Sequence, residues 1–160
     1  MMKTYTLALS LVMLVALQFS ANAQCKMFTQ KKCFSTLQTY TNNGSYNGAV
    51  MVEGEEATLT QTFYEGQDYR LVLCSQEVIA SVAYFEIRDY ANNIIYTSKD
   101  ANSNVFDFSV ESTQSLKMRI VVPNIGTDPN LKQNGCVSVI VGFKSSETSD
   151  ALNNPYQNFK

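Results

Sequence analysis

From Ala49 to Phe143 the chain is a series of short runs in which apolar and polar residues alternate with a period of two. At that spacing successive side chains of an extended strand face opposite ways. Ala57, Leu59, Gln61 and Phe63 share one face against Thr58, Thr60, Thr62 and Tyr64. Tyr69, Leu71 and Leu73 oppose Arg70, Val72 and Cys74, and Ala83, Phe85 and Ile87 oppose Tyr84, Glu86 and Arg88. Phe106, Phe108 and Val110 alternate with Asp107, Ser109 and Glu111; Leu116, Met118, Ile120 and Val122 alternate with Lys117 and Arg119. Pro123 then removes a ladder donor and stops that strand. Val137, Val139, Val141 and Phe143 form the last clear run, in which Gly142 suggests a bulge.

With Ala49 to Val52 and Ile94 to Thr97, this makes about eight strands, separated by turn signals such as Glu53-Gly54-Glu55 and Glu65-Gly66-Gln67-Asp68. No helix-period segment lies between them. The pattern predicts an all-β fold, an antiparallel, jelly-roll-like β-sandwich. Leu71, Phe85, Phe108, Ile120 and Val139 are its expected core, because a one-residue slip would put each whole set in water.

The flanks differ in character. Met1 to Lys3 gives a positive start, Leu7 to Phe19 is nearly all apolar, and Ala21-Asn22-Ala23 supplies small residues before a cut. That order predicts a cleavable export signal over residues 1–23 and a mature start at Gln24. The apolar run is shorter than the roughly 20 residues of a membrane-spanning helix. Gln24 stands where lipidation of Cys25 requires a small residue, so a soluble, secreted or periplasmic product is expected, with no membrane insertion after cleavage. Residues 24–48 are expected as a helical or irregular segment (Phe28, Phe34, Leu37 and Tyr40 recur at three and six), ending in the turn-rich stretch Thr41 to Gly48. Residues 49–143 form the sandwich, and residues 144–160 a polar, flexible tail.

Composition removes several chemistries. The 160 residues carry a net charge of −2 and include neither His nor Trp. Without histidine there is no Ser-His-Asp, Cys-His or His-ligated zinc chemistry. Without a strong basic cluster (Lys26, Lys31 and Lys32 form the only one) neither nucleic acid nor an anionic membrane is an expected partner. Cys25, Cys33, Cys74 and Cys136 suit disulfides in an oxidising compartment. They allow three pairings; strand-end positions favour Cys74 with Cys136, leaving Cys25 with Cys33. A four-cysteine metal site lacks any paired C-x-x-C spacing.

The segment Phe63-Tyr64-Glu65-Gly66-Gln67-Asp68-Tyr69-Arg70-Leu71, followed by Val82 to Asp89 and by Asn93-Ile94-Ile95-Tyr96, resembles the jelly-roll modules of secreted bacterial proteins known as pre-peptidase C-terminal domains. It is more distantly similar to the GOLD domains of cargo receptors. In those families a strand, Gly, aromatic, strand unit precedes a strand ending in Asp, here Phe85-Glu86-Ile87-Arg88-Asp89. The resemblance covers about half of the mature chain and implies a non-catalytic sandwich.

Candidate sites are few. Asp100, Asn102 and Asn104 alternate as oxygen ligands of a calcium loop would, with Glu111 twelfth in the count. Val105 stands where the sharp turn needs Gly, so an ordinary polar hairpin competes with calcium binding. Tyr46, Tyr64, Tyr84 and Tyr90, with Tyr40, occupy turns or polar faces and are a candidate ligand-binding surface. The Thr58, Thr60, Thr62 stripe is ordinary for a solvated strand. Glu53, Glu55 and Glu56 crowd one turn rather than flank a glycosidic bond. Asn43-Gly44-Ser45 is a glycosylation acceptor in a eukaryotic source, although the short signal and the family resemblance favour a bacterial periplasm or extracellular space.

The expectation is therefore an exported, non-enzymatic β-sandwich binding a protein or glycan partner. The alternative is an accessory subunit whose edge strands pair within an envelope or secreted assembly.

Overall fold

A computed structural model describes residues 20–42, 44–80, 82–126 and 131–145. The apolar run of the predicted signal, Asn43 of the acceptor triplet and the chain beyond Ser145 lie outside these residues. Among the described residues nine strands form two antiparallel sheets: β1 (Thr41–Asn42), β2 (Asn47–Val52), β3 (Glu56–Phe63), β4 (Gln67–Ser75), β5 (Tyr84–Arg88), β6 (Ile94–Thr97), β7 (Val105–Val110), β8 (Gln114–Val121) and β9 (Asn134–Ser145). In one sheet β9 lies between β4 and the collinear pair β1 and β2, with β7 outside β4. The other has the order β3-β8-β5-β6. Helix α1 (Ser20–Lys32) and a 3-10 turn (Phe34–Leu37) precede the strands, and single-turn helices α2 (Glu77–Ala80) and α3 (Ser98–Ala101) join β4 to β5 and β6 to β7.

The alternating residues meet between the sheets. Leu71, Phe85, Ile120 and Val139 are buried as expected, and Phe108 is half-buried against the same cluster. Rings form much of this core: Phe63 meets Tyr69 at 4.9 Å and Phe108 at 5.1 Å, both edge to face, and Phe106 stacks on Phe108 at 5.1 Å. Such geometries add about 0.5–1.5 kcal/mol per pair beyond area burial.

One of the two sheets is covered on both faces, which strand alternation alone does not reveal. Along β9 every residue from Gly135 to Gly142 is buried. On its outer face Val72 and Ile140 pack with Cys33 and Leu37, and Phe28, Phe34 and Tyr40 lie around them. The cover is the N-terminal segment.

The disulfides fasten that cover and correct the expected pairing: Cys25 bonds Cys136, and Cys33 bonds Cys74. Cys74 lies opposite Ser138 in the β4–β9 register, so Cys136 is only its diagonal neighbour. Diagonal Cα atoms in a sheet lie about 7–8 Å apart or slightly less, whereas disulfides usually need 4.4–6.8 Å. Cys25 and Thr29 on α1 and Cys33 just past its end, four residues apart in turn, are all buried, and each cysteine meets its strand partner at Cα distances of 5.3 and 5.9 Å.

Two further details depart from the sequence reading. Gly142 is not at a bulge, because the β4–β9 register runs without a shift from Gln67 opposite Ser145 to Ser75 opposite Val137. A Cβ there would instead meet the Tyr40 Cβ at 2.7 Å and a Leu37 methyl at 2.9 Å, so the glycine lets the N-terminal segment lie directly on β9. Lys144 and Ser145, expected in the tail, continue β9 as partners of Asp68 and Gln67.

Candidate binding cleft

The sandwich has two long sides, closed unequally. On the β6/β7 side Tyr96 stacks on Phe106 at 4.1 Å, and its hydroxyl donates to the Ser103 carbonyl at 2.8 Å. Burial raises the pKa of that phenol above its ordinary value, against the lowering effect of the Ser103 side chain. Large side chains seal this side.

On the other side stand the edge strands β2 and β3, joined by the turn Glu53-Gly54-Glu55. Gly54 takes φ +89°, and the Gly54 N–H donates to the Val122 carbonyl at 2.7 Å, which sets the reversal. Here the inward positions are Ala49 and Ala57, both exposed, where the closed side has rings. The gap they leave is an apolar cleft of about 190 Å³, floored by Met51, Leu59, Ile120, Val137 and Val139. A cavity of about 150 Å³ lined by Leu, Ile and Phe takes up benzene, so this one has room for a single aromatic or branched aliphatic side chain. Among the described residues β2 pairs only with β9, and β3 only with β8. Each therefore turns an unpaired backbone edge to the mouth of the cleft.

Small residues on the inward face of two consecutive strands were the sequence signal for this site. Alternation does not expose that signal, because it records which residues face inward but not whether they fill the space.

The predicted site residues do not gather. Tyr64, 59% exposed, and Tyr90, 89% exposed, occupy the β3–β4 and β5–β6 turns at one end of the sandwich. Tyr84 opens β5 at the opposite end, with the Lys99 ammonium 5.6 Å from its ring centre. Tyr46 precedes β2 and covers Gly48, where a Cβ would lie 2.6 Å from the Tyr46 hydroxyl; that hydroxyl is buried with no hydrogen-bond partner. Tyr40 faces the cations Arg70 and Lys144 at 4.7 and 4.9 Å.

Asp100 belongs to α3, and Asn102 caps it in the left-handed region at φ 48°. The Asn104 carbonyl accepts from the Leu73 N–H at 2.9 Å. The six residues of β7 then carry Glu111 roughly 20 Å away, so the twelve-residue count does not close on one point. Among the described residues no group of three or more His, Cys, Asp or Glu is placed to hold a metal. Asn102, Asn104 and Lys99 instead line a second, polar cleft of about 290 Å³ beside Tyr84.

The three glutamates of the β2–β3 turn separate. Glu53 is buried, and one of its carboxyl oxygens lacks a hydrogen-bond partner. Glu55 accepts from the Val52 N–H at 2.8 Å, and Glu56 pairs with Arg119. Arg119 also reaches Glu86 at 3.2 Å, which Arg88 engages at 2.6 Å, so a charged row crosses β3, β8 and β5. Burial pushes the Glu86 pKa up, but the hydrogen bonds and charges of Arg88 and Arg119 outweigh it and hold the carboxyl below the ordinary value.

No protein-family model matches the chain. No curated protein matches it in sequence. Among the solved structures that resemble it is PliG from Aeromonas hydrophila, a periplasmic inhibitor of g-type lysozyme. The two are 8% identical with a TM-score of 0.46, over 62% of this chain and 85% of that one. No function passes across a likeness of this size. Of the resemblance to pre-peptidase and GOLD modules, only the β-rich sandwich is found here.

Proposed function

We propose that this chain is an exported, non-enzymatic β-sandwich that binds another protein, receiving an extended segment of that partner at the mouth between β2 and β3. The observation that carries this reading is the apolar cleft between two unpaired edges. An added strand supplies the missing backbone hydrogen bonds, and one of its apolar side chains enters the cleft. Two disulfides suit an extracellular or periplasmic setting. A sequence without histidine suits binding better than acid-base chemistry.

The test is photo-cross-linking from position 49 in the organism's own extracytoplasmic fraction, with Ala57→Arg as the blocked variant. A cross-linked segment of extended, apolar-bearing sequence, lost in Ala57→Arg while the melting curve is retained, is the expected result. Equal cross-linking by Ala57→Arg, or capture only from Tyr64 and Tyr90, overturns it. An accessory subunit of an assembly would use the same edges; recovery of the protein as a free monomer from its source separates that role from reversible binding.

A further inference from the structure

We infer that the mature protein carries pyroglutamate at position 24. The inference rests on cleavage between Ala23 and Gln24, which makes Gln24 the first residue. Gln24 is exposed, whereas Cys25 beside it is wholly buried and bonded to Cys136. Gln24 lies within α1 (Ser20–Lys32), and cleavage before it would leave a single glutamine ahead of the residue that the disulfide holds, its exposed side chain beside the α-amine so formed.

The chemistry needs no second reagent. An α-amine titrates near pH 7.7–8.0, so an appreciable share is unprotonated at neutral pH. The Gln24 amine attacks its own side-chain Cδ; the new N–Cδ bond closes a five-membered lactam and the Cδ–Nε2 bond breaks. Nε2 leaves as ammonia, taking the proton that the α-amine gives up. No electron changes hands.

Two features give the product a purpose. The first turn of the shortened helix would be Gln24-Cys25-Lys26-Met27, with no acid to balance an α-ammonium at the positive end of the helix; the lactam is neutral. Cys25 is also the very next residue, so an aminopeptidase that removes Gln24 reaches the disulfide that fastens α1 to β9. A lactam gives such an enzyme no free amine.

The protein is secreted with its own leader, and its free amines are dimethylated at harvest, before digestion. The expected N-terminal peptide starts at Gln24, is unlabelled at its α-nitrogen, and is lighter than the uncyclised peptide by one ammonia. Gln24→Ala should carry the label and lose its first residue to an aminopeptidase that leaves the natural chain intact. A labelled Gln24 start overturns the lactam while leaving the cleavage reading standing. A start at any other residue overturns both.

Discussion

The hydroxyls of Thr29 and Ser138 lie 2.6 Å apart across 109 residues of chain, with both residues buried and Thr29 midway between Cys25 and Cys33. Thr29 also donates to the Cys25 carbonyl at 2.8 Å. Its hydroxyl is thus the polar centre of the contact between helix and sheet. Thr29→Val keeps the shape and strands the Ser138 hydroxyl, and should lower stability in urea melts by about 1–3 kcal/mol. Adding Ser138→Ala should recover part of that loss; a loss that simply adds would show the two hydroxyls to be uncoupled.

Each disulfide closes a long loop, with sequence separations of 111 for Cys25–Cys136 and 41 for Cys33–Cys74. In the chain-entropy model each is worth about 4–5 kcal/mol. Paired Cys→Ala variants should each lower stability by about 2–5 kcal/mol. Non-reducing peptide mapping should recover the 25–136 and 33–74 peptides; a 74–136 peptide would contradict the pairing.

Phe85 is wholly buried against Tyr96, whereas Thr60 lies exposed on the outer face of the same sheet. Phe85→Ala should cost about 3–5 kcal/mol through lost transfer energy and a residual cavity. Thr60→Ala should stay within about 0.5 kcal/mol. Phe108→Ala should fall between them because its ring is only half-buried. Equal effects at positions 60 and 85 in denaturant melts would overturn the face assignment.

Acid should weaken the fold through Glu86. Its carboxyl titrates below the ordinary 4.5 in the folded chain, so at acid pH the unfolded chain binds the proton first. The stabilisation is present above the unfolded value and is lost as pH falls from there through the folded one. Thermal melts should show a decline below about pH 4.5. Glu86→Gln should make this acid limb shallower and lower stability at neutral pH, where Arg88 and Arg119 lose their counter-charge. An unchanged acid limb would remove Glu86 as its source.

Gly142→Ala tests the docking of the N-terminal segment. The added methyl meets Tyr40 and Leu37 closer than side-chain atoms tolerate, so the segment must lift from β9. The expected cost is about 1–3 kcal/mol, typical of overpacking. Hydrogen exchange should quicken over residues 33–41 rather than along β8. No change in either would mean that the segment adjusts freely.

Strand existence, facing and the common core were legible in the sequence because period two is a local property. Each residue's direction follows from its neighbours alone, so alternation by itself turns Leu71, Ile120 and Val139 inward, where they are buried. What surrounds each face is not local. Val72 and Ile140 alternate as outward residues, yet they are buried because α1 and the turn after it happen to cover that sheet. The disulfide pairing followed the same division: position along a strand pointed to Cys74 with Cys136, while the helix crossing above them decided otherwise. The tyrosines and the asparagine loop were visible as residue types, but their distribution over opposite ends of the sandwich depended on strand order. Ala49 and Ala57 were visible as small residues, and only the apposition of β2 and β3 turned them into an open cleft. Sequence periodicity determines which way a side chain points. The packing of distant segments determines whether anything is there to meet it, because contacts between such segments depend on strand order and crossing geometry that no short window contains.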